Sequence, residues 1–226
     1  MGISAGPDMV QDGLVLLVDA TNPISYPGSG TIWYDVSGKN ANIQLFNSPI
    51  YVPQGMQSYF SFDGNDDYGA TTVEVPDSNS GDKCHFDAWC YTTMKSVSML
   101  MSWGTQKHDI FIFQDGIGFN SYNSDVYGVA SSPLANKWMH FAINFYRNDY
   151  TQGSIFINGI KQSLTYFNSQ MNASNVVFGG GSMRIAAGSD GYNGIWRFNN
   201  IKVYNRNLSD FEVQQNYNAL KSRFNL

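Results

Sequence analysis

Apolar and polar residues alternate in short runs along most of this chain, and Gly, Asn, Asp or Ser stops each run. In Tyr59-Phe60-Ser61-Phe62 the phenylalanines take every second position, the period of a half-buried strand. Gly64 and Asn65 end that run, because both tolerate the positive φ of a tight turn, and Tyr68 opens the next. His85 to Tyr91 alternates with Phe86, Ala88 and Cys90 on one side, and Trp138 to Tyr146 does so with Met139, Phe141, Ile143 and Phe145. Ser154 to Ile157 runs into Asn158-Gly159, the strongest short hairpin signal. Leu14 to Val18 is apolar at both parities, which predicts a strand that is central or covered. The period changes once. Ser209-Asp210-Phe211-Glu212 reads as a capping box, and Val213, Tyr217, Leu220 and Phe224 follow at helical spacing, so a helix is predicted over 209–224. The pattern as a whole predicts an all-β protein, a two-sheet antiparallel sandwich with one C-terminal helix.

The length, 226 residues, suits one sandwich as well as two small domains. With no internal repeat and no low-complexity linker, a single domain over 1–226 is expected, with residues 1–12 as an N-terminal arm rich in Gly, Pro and polar groups. Aromatics make up 15% of the chain, enough to fill a large core without staples. Charged residues are only 14% and the net charge is −5, so no basic cluster exists to neutralise a phosphate backbone, and nucleic-acid binding is excluded. No apolar run approaches membrane-spanning length, and Met1 to Pro7 lacks the basic and apolar regions of a secretory signal. Cys84 and Cys90 on one strand would stand about 20 Å apart, whereas a disulfide needs Cα atoms within roughly 7 Å. They are expected to be buried free thiols, which fits folding in a reducing cytosol.

Six segments together resemble the laminin-G-like branch of the concanavalin A-like lectin/glucanase sandwiches. They are Trp33-Tyr34-Asp35-Val36-Ser37-Gly38, Phe62-Asp63-Gly64-Asn65-Asp66-Asp67-Tyr68, Phe86-Asp87-Ala88-Trp89, Asn136 to Ala142, Ile155-Phe156-Ile157-Asn158-Gly159 and Val203 to Ser209. The opening, Gly13-Leu14-Val15-Leu16 through Gly30, and the ending, Gln215 to Phe224, resemble the version of this domain found in structural proteins of tailed bacteriophages. That resemblance implies a jelly-roll sandwich on a virion surface, made in the host cytoplasm, as a capsid decoration or tail-fibre module. Its implied partners are other virion structural proteins, further copies of itself and host-surface glycans. The alternative is a free or secreted carbohydrate-binding lectin or glycan-active protein.

Retaining glucanases of this superfamily carry Glu-x-Asp-x-x-Glu on one strand, with the two working carboxyls about 5–5.5 Å apart. Here Glu occurs only at Glu74 and Glu212, and Glu212 belongs to the capping box, so no enzyme activity is expected and no cofactor is required. His85, His108 and His140 lack any metal-ligand spacing and read as polar strand residues. Sugar binding needs an exposed ring beside amides and carboxylates. The candidates are Trp103, Tyr122, Tyr127 and Tyr192, near Asn120, Asn123, Asp125 and Asn193. The resemblance also implies calcium in oxygen-rich loops, which points to Asp35, Asp63, Asp66 and Asp67. The competing reading is that these aspartates only form turns with their own backbone. Asn199-Asn200 stands where relatives often carry Asp-Glu. For attachment to a larger assembly, Ile3, Pro7 and Met9 of the arm and Phe224 at the helix end are the apolar anchors.

Overall fold

Every second residue of the long strands faces one shared interior, which separates two antiparallel sheets. The computed structural model describes residues 8–77, 81–93, 97–103, 109–120, 125–147, 149–168, 178–188 and 191–226. Among these, the first sheet holds β1 (Leu14–Asp19), β4 (Ile50–Val52), β5 (Tyr59–Asp63), β7 (Lys83–Tyr91), β12 (Met139–Tyr146), β13 (Ser154–Ile157), β14 (Ile160–Lys161) and β17 (Ile195–Tyr204). The second holds β2 (Ile32–Trp33), β3 (Ile43–Phe46), β6 (Tyr68–Glu74), β8 (Val97–Ser102), β9 (Asp109–Phe113), β10 (Gly116–Asn120), β11 (Val126–Ala130), β15 (Thr165–Phe167) and β16 (Ser182–Ile185). The first sheet runs β14-β13-β12-β7-β17-β5-β4, and β1 lies beside the second half of β17. The second runs β15-β11-β10-β9-β8-β16-β6-β3-β2. This is the two-sheet antiparallel sandwich that the alternation predicts, in the jelly-roll form that the resemblance implies.

Phe60, Phe62, Phe86, Phe141 and Ile143 meet Ile110, Ile112, Ile117 and Phe119 between the sheets. Cys84 and Cys90 lie in the same layer as free thiols, and burial pushes both well above the ordinary thiol range, so they act as small apolar groups. Asn158 and Gly159 take φ of 52° and 77°, the paired positive values that a tight hairpin between β13 and β14 requires.

The one α-helix among the described residues, α1 (Asp210–Leu220), continues as a 3-10 turn over Lys221–Phe224. It lies on the outer face of the first sheet, where Val213 joins Leu14, Leu17, Phe156 and Tyr204, and Leu220 and Phe224 join Trp89. This explains β1: Leu16 and Val18 face the interior while Leu14 and Leu17 face the helix side. Among the described residues no helix is long and apolar enough to cross a membrane. The capping box is present, with Ser209 Oγ accepting from Glu212 N and Glu212 Oε2 accepting from Ser209 N at 2.8 Å. Arg206 grips the same carboxylate through both forks, at 2.5 and 3.1 Å, and these bonds hold Glu212 down at about 2. Glu212→Ala should therefore cost about 1–2 kcal/mol, because it removes a cap and an Arg partner together. Urea titration followed by circular dichroism checks this, and an unchanged midpoint would show the cap to be idle.

The expected arm is docked from Asp8 onward. Val10 N donates to Asn216 Oδ1 at 2.9 Å, Val10 O accepts from Tyr204 OH at 3.0 Å, and Gln215 Nε2 donates to Asp8 O at 2.6 Å. Met9, offered above as an anchor for a partner, packs half-buried against the two outer apolar clusters of its own chain. Backbone bonds to the helix supply what the arm's few apolar groups do not. Ile3 and Pro7 lie outside the described residues.

Candidate functional site

The hairpin from β5 to β6 gathers three carboxylates. Asp63 ends one strand, Gly64 turns the chain at φ 73°, and Asp66 and Asp67 follow before Tyr68. One oxygen from each of Asp63, Asp66 and Asp67 lies within 4.8 Å of the others. Asp63 accepts from Asn65 N and from Asn65 Nδ2, both at 2.8 Å, and these bonds hold it below the usual carboxylate range. Asp67 is only 5% exposed. Loss of solvent, with repulsion from Asp63 and Asp66, raises its pKa. Like charges crowded into an oxygen-only donor set fit a hard divalent cation such as calcium.

Two further side chains clamp this turn. Asn47 Nδ2 donates to Asp66 O at 2.7 Å, and Asn193 Nδ2 donates to Asn65 O across 128 positions of sequence. Asn193 pairs with Ala187 in the crossing from β16 to β17, beside Tyr192. The Tyr192 ring is 48% exposed and rests 5.3 Å from Phe111. Asn193, next in sequence to Tyr192, thus reaches the acidic turn, and a sugar candidate and the cation candidates that the sequence offered separately are joined by a hydrogen bond.

The remaining candidates sit elsewhere. Asp35 does not join the acidic turn. Its carboxylate accepts from Leu17 N at 2.9 Å, Ser37 N and Ser37 Oγ at 2.8 Å, and Lys39 N and Ala41 N at 3.2 Å, so it ties its own loop to β1. Trp103 is not a platform: it is 2% exposed, donates to Val75 O at 2.6 Å and meets Phe145 edge-on at 4.9 Å. Asn120 and Asp125 are buried, and Asn120 Nδ2 donates to Asp125 O at 2.6 Å. Tyr127 is half-buried against Tyr166 and Tyr150, with ring centroids at 4.7 and 5.6 Å. Phe224 is buried by its own sheet, stacked on Trp89 at 4.1 Å. Tyr122, Asn123 and His108 lie outside the described residues.

A polar network beneath α1 escaped the sequence reading. Asp87 on β7 is fully buried, with Lys202 Nζ 2.6 Å from Oδ1, His140 Nε2 3.0 Å from Oδ1 and Asn216 Nδ2 2.9 Å from Oδ2. His85 Nε2 is 3.9 Å away, while its Nδ1 meets Asn144 Oδ1 at 2.7 Å. Burial alone would raise the Asp87 pKa; the facing His140 and Lys202 overcome this and hold it well below the usual range. Burial in turn lowers His140. A lysine between Ile201 and Val203, on a strand as long as β17, was the available signal.

No family model and no curated sequence matches the chain. Solved structures do match, at identities that show the fold alone. A structure of botulinum neurotoxin type C, whose cell entry is dependent upon interaction with two ganglioside molecules, has a TM-score of 0.66 at 13% identity, covering 93% of this chain and 52% of that one. The binding domain of botulinum neurotoxin DC in complex with rat synaptotagmin II gives 0.65 at 14%, covering 93% and 52%. Trypanosoma rangeli sialidase in complex with the inhibitor DANA gives 0.61 at 16%, covering 91% and 32%. The chain spans about half the length of the neurotoxin domains it matches.

Proposed function

We propose that this protein is a non-catalytic glycan-binding module carried on the surface of a bacteriophage particle, as a capsid decoration or part of a tail fibre. The observation that carries the glycan reading is the hydrogen bond that brings Asn193, next to the exposed Tyr192, onto the turn of Asp63, Asp66 and Asp67. An exposed ring stacks on the apolar face of a sugar, while amide and carboxylate groups take its hydroxyls. Calcium held by the three aspartates would neutralise their crowding and offer a further contact to sugar oxygens. The ganglioside-dependent neurotoxin and the inhibitor-bound sialidase among the similar folds support the same reading. The non-catalytic part is supported by Asp87, which is sealed beneath α1, and by Glu212, which is engaged by Arg206 and its cap. The virion part rests on the bacteriophage-like opening and ending of the sequence. It implies other virion proteins and further copies of this chain as partners.

The test is a glycan array followed by calorimetry on the best ligand. Binding should weaken by about tenfold in EDTA, in Asp66→Asn and in Tyr192→Ala, because each removes a direct or bridging contact to the sugar. A chain that retains no glycan, or whose binding ignores all three changes, would overturn the reading. Mass spectrometry of purified particles tests the location, and absence of the chain would defeat the virion part.

A further inference from the structure

Arg197 is held between aromatic rings with no acceptor of its own among the described residues. On the outer face of the first sheet it stands opposite Ser61 of β5 on one side and Tyr91 of β7 on the other. Its guanidinium carbon lies 4.6 Å from the centroid of the Tyr91 ring and 5.3 Å from that of Tyr59. Trp138 completes the wall, 5.6 Å from Tyr59 and 5.9 Å from Tyr91. The C-terminal turn reaches only as far as Phe224, 5.1 Å from Trp138, and all four side chains are half-buried, none of them fully covered.

The other arginines have acceptors: Arg147 bonds Phe178 O, Arg184 bonds Gly188 O, Arg206 bonds Glu212 and Arg223 bonds Asp19. Arg197 has none among the described residues, in a chain of net charge −5. The Tyr59 and Tyr91 hydroxyls and the Trp138 indole N–H likewise lack partners among the described residues, whereas the hydroxyls of Tyr26, Tyr51 and Tyr204 all donate to backbone carbonyls. A guanidinium fixed between rings has already lost much of its rotamer freedom, and its fork matches a carboxylate. The flat rings match a sugar face, and the free hydroxyls and indole N–H match its hydroxyls. A bare anion would leave the rings unused, and a neutral sugar would leave the charge unused.

We propose that Arg197, Tyr59, Tyr91 and Trp138 form a subsite for an acidic sugar, with the carboxylate of a uronate or sialate on Arg197. This rests on the glycan-binding reading and adds the class of ligand. The full chain is titrated by calorimetry with the methyl glycosides of glucuronic acid and N-acetylneuraminic acid, with the methyl ester of each, and with inorganic phosphate. One acid should bind at least about tenfold tighter than its ester, and which acid does so separates uronate from sialate. Arg197→Gln should abolish that preference at an unchanged melting temperature, and Arg197→Lys, which keeps the charge without the fork, should fall between. Equal binding of acid and ester, acid binding untouched by Arg197→Gln, or displacement by phosphate at equal concentration would each overturn the proposal. Neutral glycans that bind through Tyr192 while no acid is preferred would end this proposal and keep the glycan reading. Failure of every sugar would end both.

Discussion

Asp87→Ala should lower the stability of the protein by about 3–5 kcal/mol, because it strands a buried lysine. Lys202 Nζ is fully buried, and without Asp87 only Asn200 Oδ1, at 3.2 Å, faces it among the described residues. Asn216, which ties α1 to the sheet through Asp87, keeps Tyr204 OH at 3.0 Å but loses its charged acceptor. Urea titration should show the lowered midpoint. Adding Lys202→Met should recover much of the loss, since an apolar replacement removes the stranded charge. A midpoint unchanged by Asp87→Ala, or a double variant worse than the single, would show that the network does not hold the helix. The pH dependence has a fixed sign. Folding depresses both Asp87 and His140, so the unfolded chain binds more protons and stability rises with pH. The His140 contribution is complete above its unfolded value of about 6.5 and the Asp87 contribution above about 3.9. Each is lost as pH falls through the folded value below it. Acid should therefore loosen α1 in two stages, and Asp87→Ala should remove the lower one.

How much of this was legible depended on whether a feature is local. Phe60 and Phe62, Phe86 and Cys90, and Asn158-Gly159 each declare a face or a turn within a few residues, and the structure agrees. The Ser209–Glu212 cap is equally local. The edge strand Thr165–Phe167 is too short to show a period and no turn signal announces it, so the sequence does not reveal it. Trp103 failed for a different reason. A register shift between Met99 and Met101 reverses the parity of β8, and Met101 and Trp103 both end in the core. Asn120 and Asp125 looked like surface groups because they flank a polar loop, but across the β10–β11 connection they satisfy each other. The Asp87 network and the Arg197 clamp depend on strand neighbours. Asp87 meets Lys202 over 115 positions, and Arg197 meets Tyr59 and Tyr91 only because β17 lies between β5 and β7. No spacing along one strand carries that information.

Phe224→Ala should cost about 3–5 kcal/mol, the usual range for truncating a buried phenylalanine. The ring is 7% exposed and lies nearly parallel to Trp89, with centroids at 4.1 Å and planes 10° apart. Trp138 approaches it at 5.1 Å. The residue before it is fixed on both sides: Arg223 Nη1 donates to Asp19 Oδ2 at 2.8 Å and Thr21 Oγ1 at 3.0 Å, while Gln57 Nε2 donates to Arg223 O at 2.6 Å. These bonds set the ring over Trp89, so truncation leaves a gap that the tethered backbone cannot close. Trp89 would then face water, and tryptophan emission should shift to the red as the urea midpoint falls. The result also decides what the chain's end is for. An anchor that waits for a partner would leave the isolated protein's midpoint unchanged when truncated and would weaken only its binding to particles. A seal on the protein's own sheet loses stability in isolation, and the stacking on Trp89 predicts that outcome.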